Sequence, residues 1–127
     1  GVRSGCGRDR SGTGSKLKGT LMAKYLVRGN YVGDGVTGLM EEGGTRRMEA
    51  ARAAIESVGG SLDCMYFAFG DVDIYGICEF PDDASAAAFS LIVNASGAVT
   101  GSVTPLMSPE DIDAAAAMTP SYRPPGA

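Results

Sequence analysis

The chain has 127 residues, of which 44% are hydrophobic and 20% charged, with a formal net charge of −4. That length suits a single domain, and no apolar run approaches the roughly 20 residues that a membrane-spanning helix needs, so we expect one soluble domain with no membrane contact. Histidine is absent and only three cysteines are present, which excludes Ser-His-Asp and Cys-His catalysis and histidine-ligated haem; we predict no metal site and no cofactor.

Residues 1–21 are rich in Gly, Ser and Arg and carry a net charge of +4. They offer almost no apolar side chain to bury, so we predict that they are disordered or a non-native extension before a natural start at Met22. The rest of the chain holds 6 basic and 14 acidic side chains. This negative field repels phosphate backbones, which disfavours nucleic-acid binding.

Alternating side chains predict a first strand from Lys24 to Val32. A short helix follows and breaks at Gly43-Gly44, because glycine in a helix costs about 1 kcal/mol relative to alanine. Thr45 is the predicted cap of a longer helix over residues 46–58, which Gly59-Gly60 ends.

Two further strands are predicted over residues 62–69 and 74–80. The turn-forming segment Gly70-Asp71-Val72-Asp73 separates them, and this pattern predicts an antiparallel hairpin. Asp82 is the predicted cap of the next helix, which reaches Gly97, and residues 98–106 form the fourth strand. Ser108-Pro109 begins a short alanine-rich helix to about Met118, and a proline-rich tail follows over residues 119–127.

This order predicts an α+β, ferredoxin-like βαββαβ domain over residues 22–118, with a four-stranded antiparallel sheet, helices on one face and an extra C-terminal helix. In the second strand Leu62, Cys64 and Tyr66 would point one way and Met65, Phe67 and Phe69 the other. In the third strand Tyr75 and Ile77 would point to one face, and Ile74, Gly76, Cys78 and Phe80 to the other. Both faces are apolar, so we predict that the open face self-associates.

Two local patterns have structural interpretations that we prefer. Gly33-Asp34-Gly35-Val36-Thr37-Gly38 matches the spacing of a dinucleotide-binding turn, but the following hairpin is not a second crossover, so a structural or anion-holding loop is favoured. Cys64 and Cys78 are expected to be buried thiols, which together with the low cysteine count favours a reducing, cytoplasmic setting.

Four segments in order, MAKYLVRGNY from Met22, GLMEEGGTRR at 38–47, YFAFGDVDIYG at 66–76 and NASGAVTGSVTPLMSPEDID at 94–113, resemble the GYD domain family of small bacterial proteins. The resemblance covers nearly all of residues 22–113 and implies a ferredoxin-like subunit of a dimeric α+β barrel. It implies no activity. Val72 departs from the family pattern, which usually has an aromatic residue there, so a role for that ring would be absent.

We therefore predict a self-associating module, a homodimer or higher homo-oligomer, with a small apolar ligand between sheet and helices. The alternative is a cofactor-independent enzyme, similar to a monooxygenase or an isomerase, acting on a small aromatic or carbonyl compound. Its candidate catalytic residues are Tyr25, Arg47, Tyr66 and Asp73. Only Arg47 and Asp73 lie in matching segments that we expect to be functionally constrained, and a structural ion pair is the competing interpretation.

Overall fold

The computed structural model describes residues 22–126 of the chain, so the predictions for residues 1–21 lie outside the described residues. The elements in chain order are β1 (Ala23–Tyr31), α1 (Gly35–Glu42), α2 (Gly44–Ser57), β2 (Ser61–Phe67), β3 (Ile74–Phe80), α3 (Asp83–Ala95), β4 (Val99–Pro105) and α4 (Pro109–Ala116). Among these described helices, none has the length and apolar character needed to cross a bilayer.

The four strands form one antiparallel sheet in the order β2-β3-β1-β4. α2 packs on β2, and α3 packs on β4 and β3. Each of these two helices connects a pair of strands that run in the same direction with a third strand between them, which is the ferredoxin-like arrangement. The predicted α+β fold and the extra C-terminal helix are confirmed, and the sheet of a single chain is open rather than closed into a barrel.

Side-chain caps begin two of the helices, as predicted. The Asp82 carboxylate accepts a hydrogen bond from the Ser85 amide at 2.8 Å, and Ser108 and Asp111 form a reciprocal capping box ahead of α4. The prediction of Thr45 as the cap of α2 is wrong. Gly43 takes that position with φ 87°, because the chain must turn sharply between α1 and α2 and glycine tolerates this backbone angle.

A β-bulge at Asp63 corrects the predicted faces of β2. Leu62 pairs with Cys78 and Cys64 pairs with Ile77, so one residue of β2 is unpaired and the alternation shifts by one position. Leu62, Met65 and Phe67 therefore all face the helices, whereas Cys64 and Tyr66 lie on the opposite face. The prediction for β3 needed no such correction, because its pairing is regular.

The core lies between the sheet and the two long helices. Its buried members are Tyr25, Ile55, Leu62, Cys78, Phe80, Ala86 and Phe89. The ring of Tyr25 meets Phe80 edge-on with centroids 5.4 Å apart, and Phe89 lies on the other side of Phe80 at 5.9 Å. Phe80 thus links the first strand to α3 and is fully buried.

The two cysteines of the hairpin differ. Cys78 is a buried free thiol, and burial raises its pKa to about 12. Cys64 is disulfide-bonded, so the prediction that both are thiols is confirmed for Cys78 and wrong for Cys64.

Truncation of Phe80 tests the importance of this aromatic contact. Phe80→Ala should lower the free energy of unfolding by about 3–5 kcal/mol, because it removes a buried ring and leaves a cavity. Phe69→Ala is the matched control, since 76% of Phe69 is exposed. Urea unfolding of the two variants measures the difference, and similar losses in both would contradict the described core.

Candidate functional site

A cavity of about 130 Å³ lies between the helix-facing side of the sheet and helices α2 and α3. All four strands contribute to it. Its apolar lining residues include Val27, Ala51, Ala54, Ile55, Leu62, Met65, Ile74, Phe89, Val93 and Val103.

Three strand glycines, Gly29, Gly76 and Gly101, line the sheet side of the cavity. Gly29 pairs with Gly101 across β1 and β4, so two adjacent strands both lack a side chain at this level. A Cβ atom at Gly101 would lie 3.1 Å from the carbonyl oxygen of Arg28, and one at Gly76 would lie 3.2 Å from that of Cys64. The space above the centre of the sheet is therefore left unfilled by the strands.

Small side chains keep the helix side of the cavity open as well. Ala50, Ala51 and Ala54 project from α2, and Ser90 and Val93 project from α3. Short side chains on both helices cannot reach across to close the gap above the glycines. Among the described lining residues there is no carboxylate.

Asn94 fixes one edge of the cavity by binding the backbone of β4. Its Oδ1 accepts a hydrogen bond from the Gly101 amide at 3.0 Å, and its Nδ2 donates to the Gly101 carbonyl at 3.1 Å. β4 is an edge strand, so these bonds satisfy backbone groups that would otherwise face solvent. Asn94 thus holds α3 at a fixed distance from the glycine pair.

The polar residues of the lining include Tyr31 and Arg47. Burial raises the pKa of the Tyr31 phenol, and the nearby Arg47 guanidinium opposes that rise. Arg47 also donates to Glu42 at 3.3 Å. Because α2 begins at Gly44, Arg47 lies in its first turn, which directs the guanidinium toward the end of β1.

The candidates Asp73 and Arg47 have different roles. The Asp73 carboxylate accepts from the Tyr31 amide at 3.0 Å, and its own amide donates to the Gly29 carbonyl at 3.0 Å and to Asn30 Oδ1 at 2.9 Å. Asp73 therefore ties the β2–β3 connection to β1. Among the described ion pairs, Arg47 is joined to Glu42 and not to Asp73, so the structural ion pair considered from the sequence is not formed.

The other two candidates lie outside the cavity lining. The Tyr25 hydroxyl donates to Asp83 at 2.6 Å, and this hydrogen bond, together with burial, raises the pKa of Tyr25 to about 12. Tyr66 is 54% exposed on the opposite face of the sheet, beside its pairing partner Tyr75. The structure thus places Arg47 in the cavity lining, and Asp73 binds the backbone of the lining residue Tyr31. Tyr25 and Tyr66 lie away from the cavity.

The Gly33-Asp34-Gly35-Val36-Thr37-Gly38 segment has a packing explanation. Gly33 has φ 56°, and a Cβ atom at Gly35 would collide with the carbonyl oxygen of Ala98. The Gly35 amide already donates to the Val32 carbonyl at 2.9 Å. These glycines let the turn pack closely on the start of β4.

Sequence reasoning missed the cavity residues Gly29, Gly76 and Gly101. Glycine within a strand is a known sign of close backbone approach or of space for a ligand, so the sequence did contain an indication. It was missed because the three positions meet only after the strands pair.

The strand order and the helices on one face define this chain as a ferredoxin-like α+β domain with a cavity beneath its helices. The sequence model of the GYD domain matches residues 25–116. The chain belongs to the GYD domain family. No curated protein and no solved structure matches it. Val72, where the resemblance to the family led us to expect an aromatic residue, is buried in the β2–β3 connection.

The hydrogen bond between Tyr25 and Asp83 predicts a pH-dependent loss of stability. Because the pKa of Tyr25 is about 12 in the folded chain and about 10 when unfolded, its contribution is complete below pH 10 and is lost as pH rises toward 12. The stability difference between the unaltered protein and Tyr25→Phe should therefore shrink over that interval. Urea unfolding at pH 8, 10 and 11.5 measures it, and a constant difference would contradict this assignment.

Proposed function

We propose that this domain is a self-associating module that binds a small apolar ligand in the cavity between the sheet and α2 and α3. The observation that carries the proposal is the lining itself. Aliphatic and aromatic side chains form most of the wall around an unfilled space, and the lining residue Arg47 is paired with Glu42. Ligand pockets in proteins typically combine such an apolar wall with a few polar groups.

The volume limits the size of the ligand. A dry engineered cavity of about 150 Å³ lined by Leu, Ile and Phe binds benzene or xenon. At about 130 Å³ the present cavity is close to that size. A single aromatic ring or a short branched aliphatic group fits this range. Ala50 and Asn94, which are exposed, mark where such a group would enter between the helices.

Support for self-association comes from the side of the sheet that the helices leave uncovered. We call this side the open face. The pairing register places the apolar residues Leu26, Tyr66, Tyr75 and Ile77 on it, together with Arg28 and the ion-paired residues Lys24 and Glu79. Tyr66 and Tyr75 are 54% and 40% exposed. A contiguous apolar strip across three strands is unusual on a monomer and typical of an interface. Face-to-face pairing of two such sheets would give the dimeric α+β barrel expected from the sequence.

The enzyme hypothesis has less support from the geometry. Proton abstraction needs a base within hydrogen-bonding distance of the substrate. The lining residues within the described part of the chain include no Asp or Glu, and Asp73 is engaged with the backbone of β1. Arg47 and Tyr31 can donate hydrogen bonds that orient a carbonyl or phenol oxygen. These two donors support a small oxygenated aromatic compound as the substrate in this second proposal.

A cavity-filling substitution tests ligand binding. Ala51→Leu places three more carbon atoms into the space beside Val27 and Val93, and it should weaken benzene binding by at least about tenfold. Amide chemical-shift changes in a benzene titration measure the affinity, and they should be concentrated at lining residues. Ala53→Leu is the matched control, because Ala53 is exposed on the same helix. Equal affinities in the two variants, or no shifts at the lining, would refute cavity binding.

Substitution on the open face tests self-association separately. Tyr75→Glu adds a charge to the apolar strip and should raise the dimer dissociation constant by about tenfold or more. Ala53→Glu adds the same charge to α2 and should leave it unchanged. Sedimentation equilibrium reports both values. A protein that stays monomeric at high concentration would contradict the proposed interface.

A further inference from the structure

The cavity has a polar end and an apolar end. The residues of β1 that face the helices and line the cavity are, from the end of the strand inward, Tyr31, Gly29 and Val27. The lining residues spaced four apart on one face of α2 are, from its start, Arg47, Ala51 and Ile55. Tyr31 and Arg47 are neighbours. Both walls therefore change in the same direction from a polar side chain, through a small residue, to an aliphatic one.

Hydrogen-bond donors at this polar end are available to a bound molecule. Burial raises the pKa of the Tyr31 phenol, so its hydroxyl keeps its proton at neutral pH. Among the described hydrogen bonds, the Tyr31 hydroxyl donates none. Of the five N–H donors of Arg47, one is directed to Glu42 at 3.3 Å. The O–H of Tyr31 and further N–H groups of Arg47 can therefore serve an acceptor on a ligand.

Other polar residues of the lining are already engaged or point away. The Asn94 amide binds both backbone groups of Gly101 and donates to the Ser90 carbonyl at 2.8 Å. Arg28 and Ser102 are paired across β1 and β4 at the level whose side chains belong to the open face, so they line the cavity with backbone. Recognition of a polar group is thus concentrated at the polar end.

The charge around the polar end disfavours an anionic ligand. The Glu42 carboxylate lies 3.3 Å from Arg47, and the Asp73 carboxylate accepts from the Tyr31 amide at 3.0 Å. One cation and two carboxylates leave a net charge of −1 here, so a ligand carboxylate would be repelled. A neutral carbonyl oxygen has no such penalty, and it accepts two hydrogen bonds without bringing a donor of its own.

The spacing along β1 suits a ring that carries one oxygen. Gly29 and Tyr31 are two residues apart in the strand, which is about 7 Å. A six-membered ring above the paired glycines Gly29 and Gly101 therefore places an oxygen substituent beside Tyr31. The cavity of about 130 Å³ has room for such a ring and little more.

We propose that the ligand is a small neutral carbonyl compound, with its hydrocarbon body above Gly29 and Gly101 and its oxygen accepting hydrogen bonds from Tyr31 and Arg47. This inference rests on the proposed binding in the cavity and names the chemical class of the ligand. Because the available donors lie at one end, the ligand binds in one orientation. Tyr31 and Arg47 are then the residues that determine specificity.

Amide chemical-shift titrations with cyclohexanone and benzene test the ligand class. Tyr31→Phe removes one donor and keeps the ring, so it should weaken cyclohexanone binding by about threefold to tenfold, the effect of one hydrogen bond. Benzene affinity should change by less than about twofold, because benzene accepts no such bond. Tyr122→Phe is the matched control. Tyr122 is 74% exposed and outside the lining, so both affinities should stay unchanged.

Charge and orientation are tested with the unaltered protein. Benzoate should bind at least about tenfold more weakly than cyclohexanone, and equal or tighter binding of benzoate would overturn the neutral class. In the cyclohexanone complex, nuclear Overhauser contacts should join the methylene groups next to the carbonyl to the Tyr31 ring. The methylene group opposite the carbonyl should contact Val27 and Val93. The reversed pattern would overturn the orientation.

The two proposals fail differently. If benzene shifts the lining amides but cyclohexanone does not, or if cyclohexanone binds Tyr31→Phe as tightly as the unaltered protein, the carbonyl class is refuted and binding in the cavity stands. If neither compound shifts the lining amides, both proposals are refuted.

Discussion

The space beneath the helices exists because three strand positions that face them carry no side chain. Gly29 and Gly101 lie side by side on β1 and β4, and Gly76 lies on β3. A valine at each of these positions would fill the centre of the sheet, as Val27 and Val103 do one pair further along. The core is consequently concentrated at one end, around Phe80, and a ligand-sized cavity remains beside it. Asn94 holds this arrangement by binding both backbone groups of Gly101.

The two faces of the sheet have different roles in the proposed function. The helix face encloses the cavity, and the open face carries Leu26, Tyr66, Tyr75 and Ile77, which we propose as the contact with a second copy. Side chains from the helices also protect both sheet edges, since Asn94 binds β4 and Arg52 donates to the Leu62 carbonyl of β2 at 3.3 Å. These bonds occupy part of each edge and leave fewer free backbone groups for strand addition.

Much of the fold could be predicted from the sequence because its determinants are local. Alternation in the strands, Asp82 and Ser108 as caps, and the order of elements all depend on neighbouring residues. The bulge at Asp63 could not be predicted from the sequence, because it depends on how β2 pairs with β3. It also depends on the ion pair of 2.6 Å between Asp63 and Lys24, which are distant in the chain. The candidate site was predicted less well. Arg47 reaches the cavity, whereas tertiary contacts place Tyr25, Tyr66 and Asp73 outside its lining.

Xenon under pressure tests the central claim most directly, because it needs only an accessible apolar space and no knowledge of the natural ligand. A crystal structure of the protein under xenon should show the gas between Val27, Ala54 and Val93, above the paired glycines Gly29 and Gly101. A structure in which the helices close over the glycines, with side chains filling the space and no xenon bound, would contradict the account.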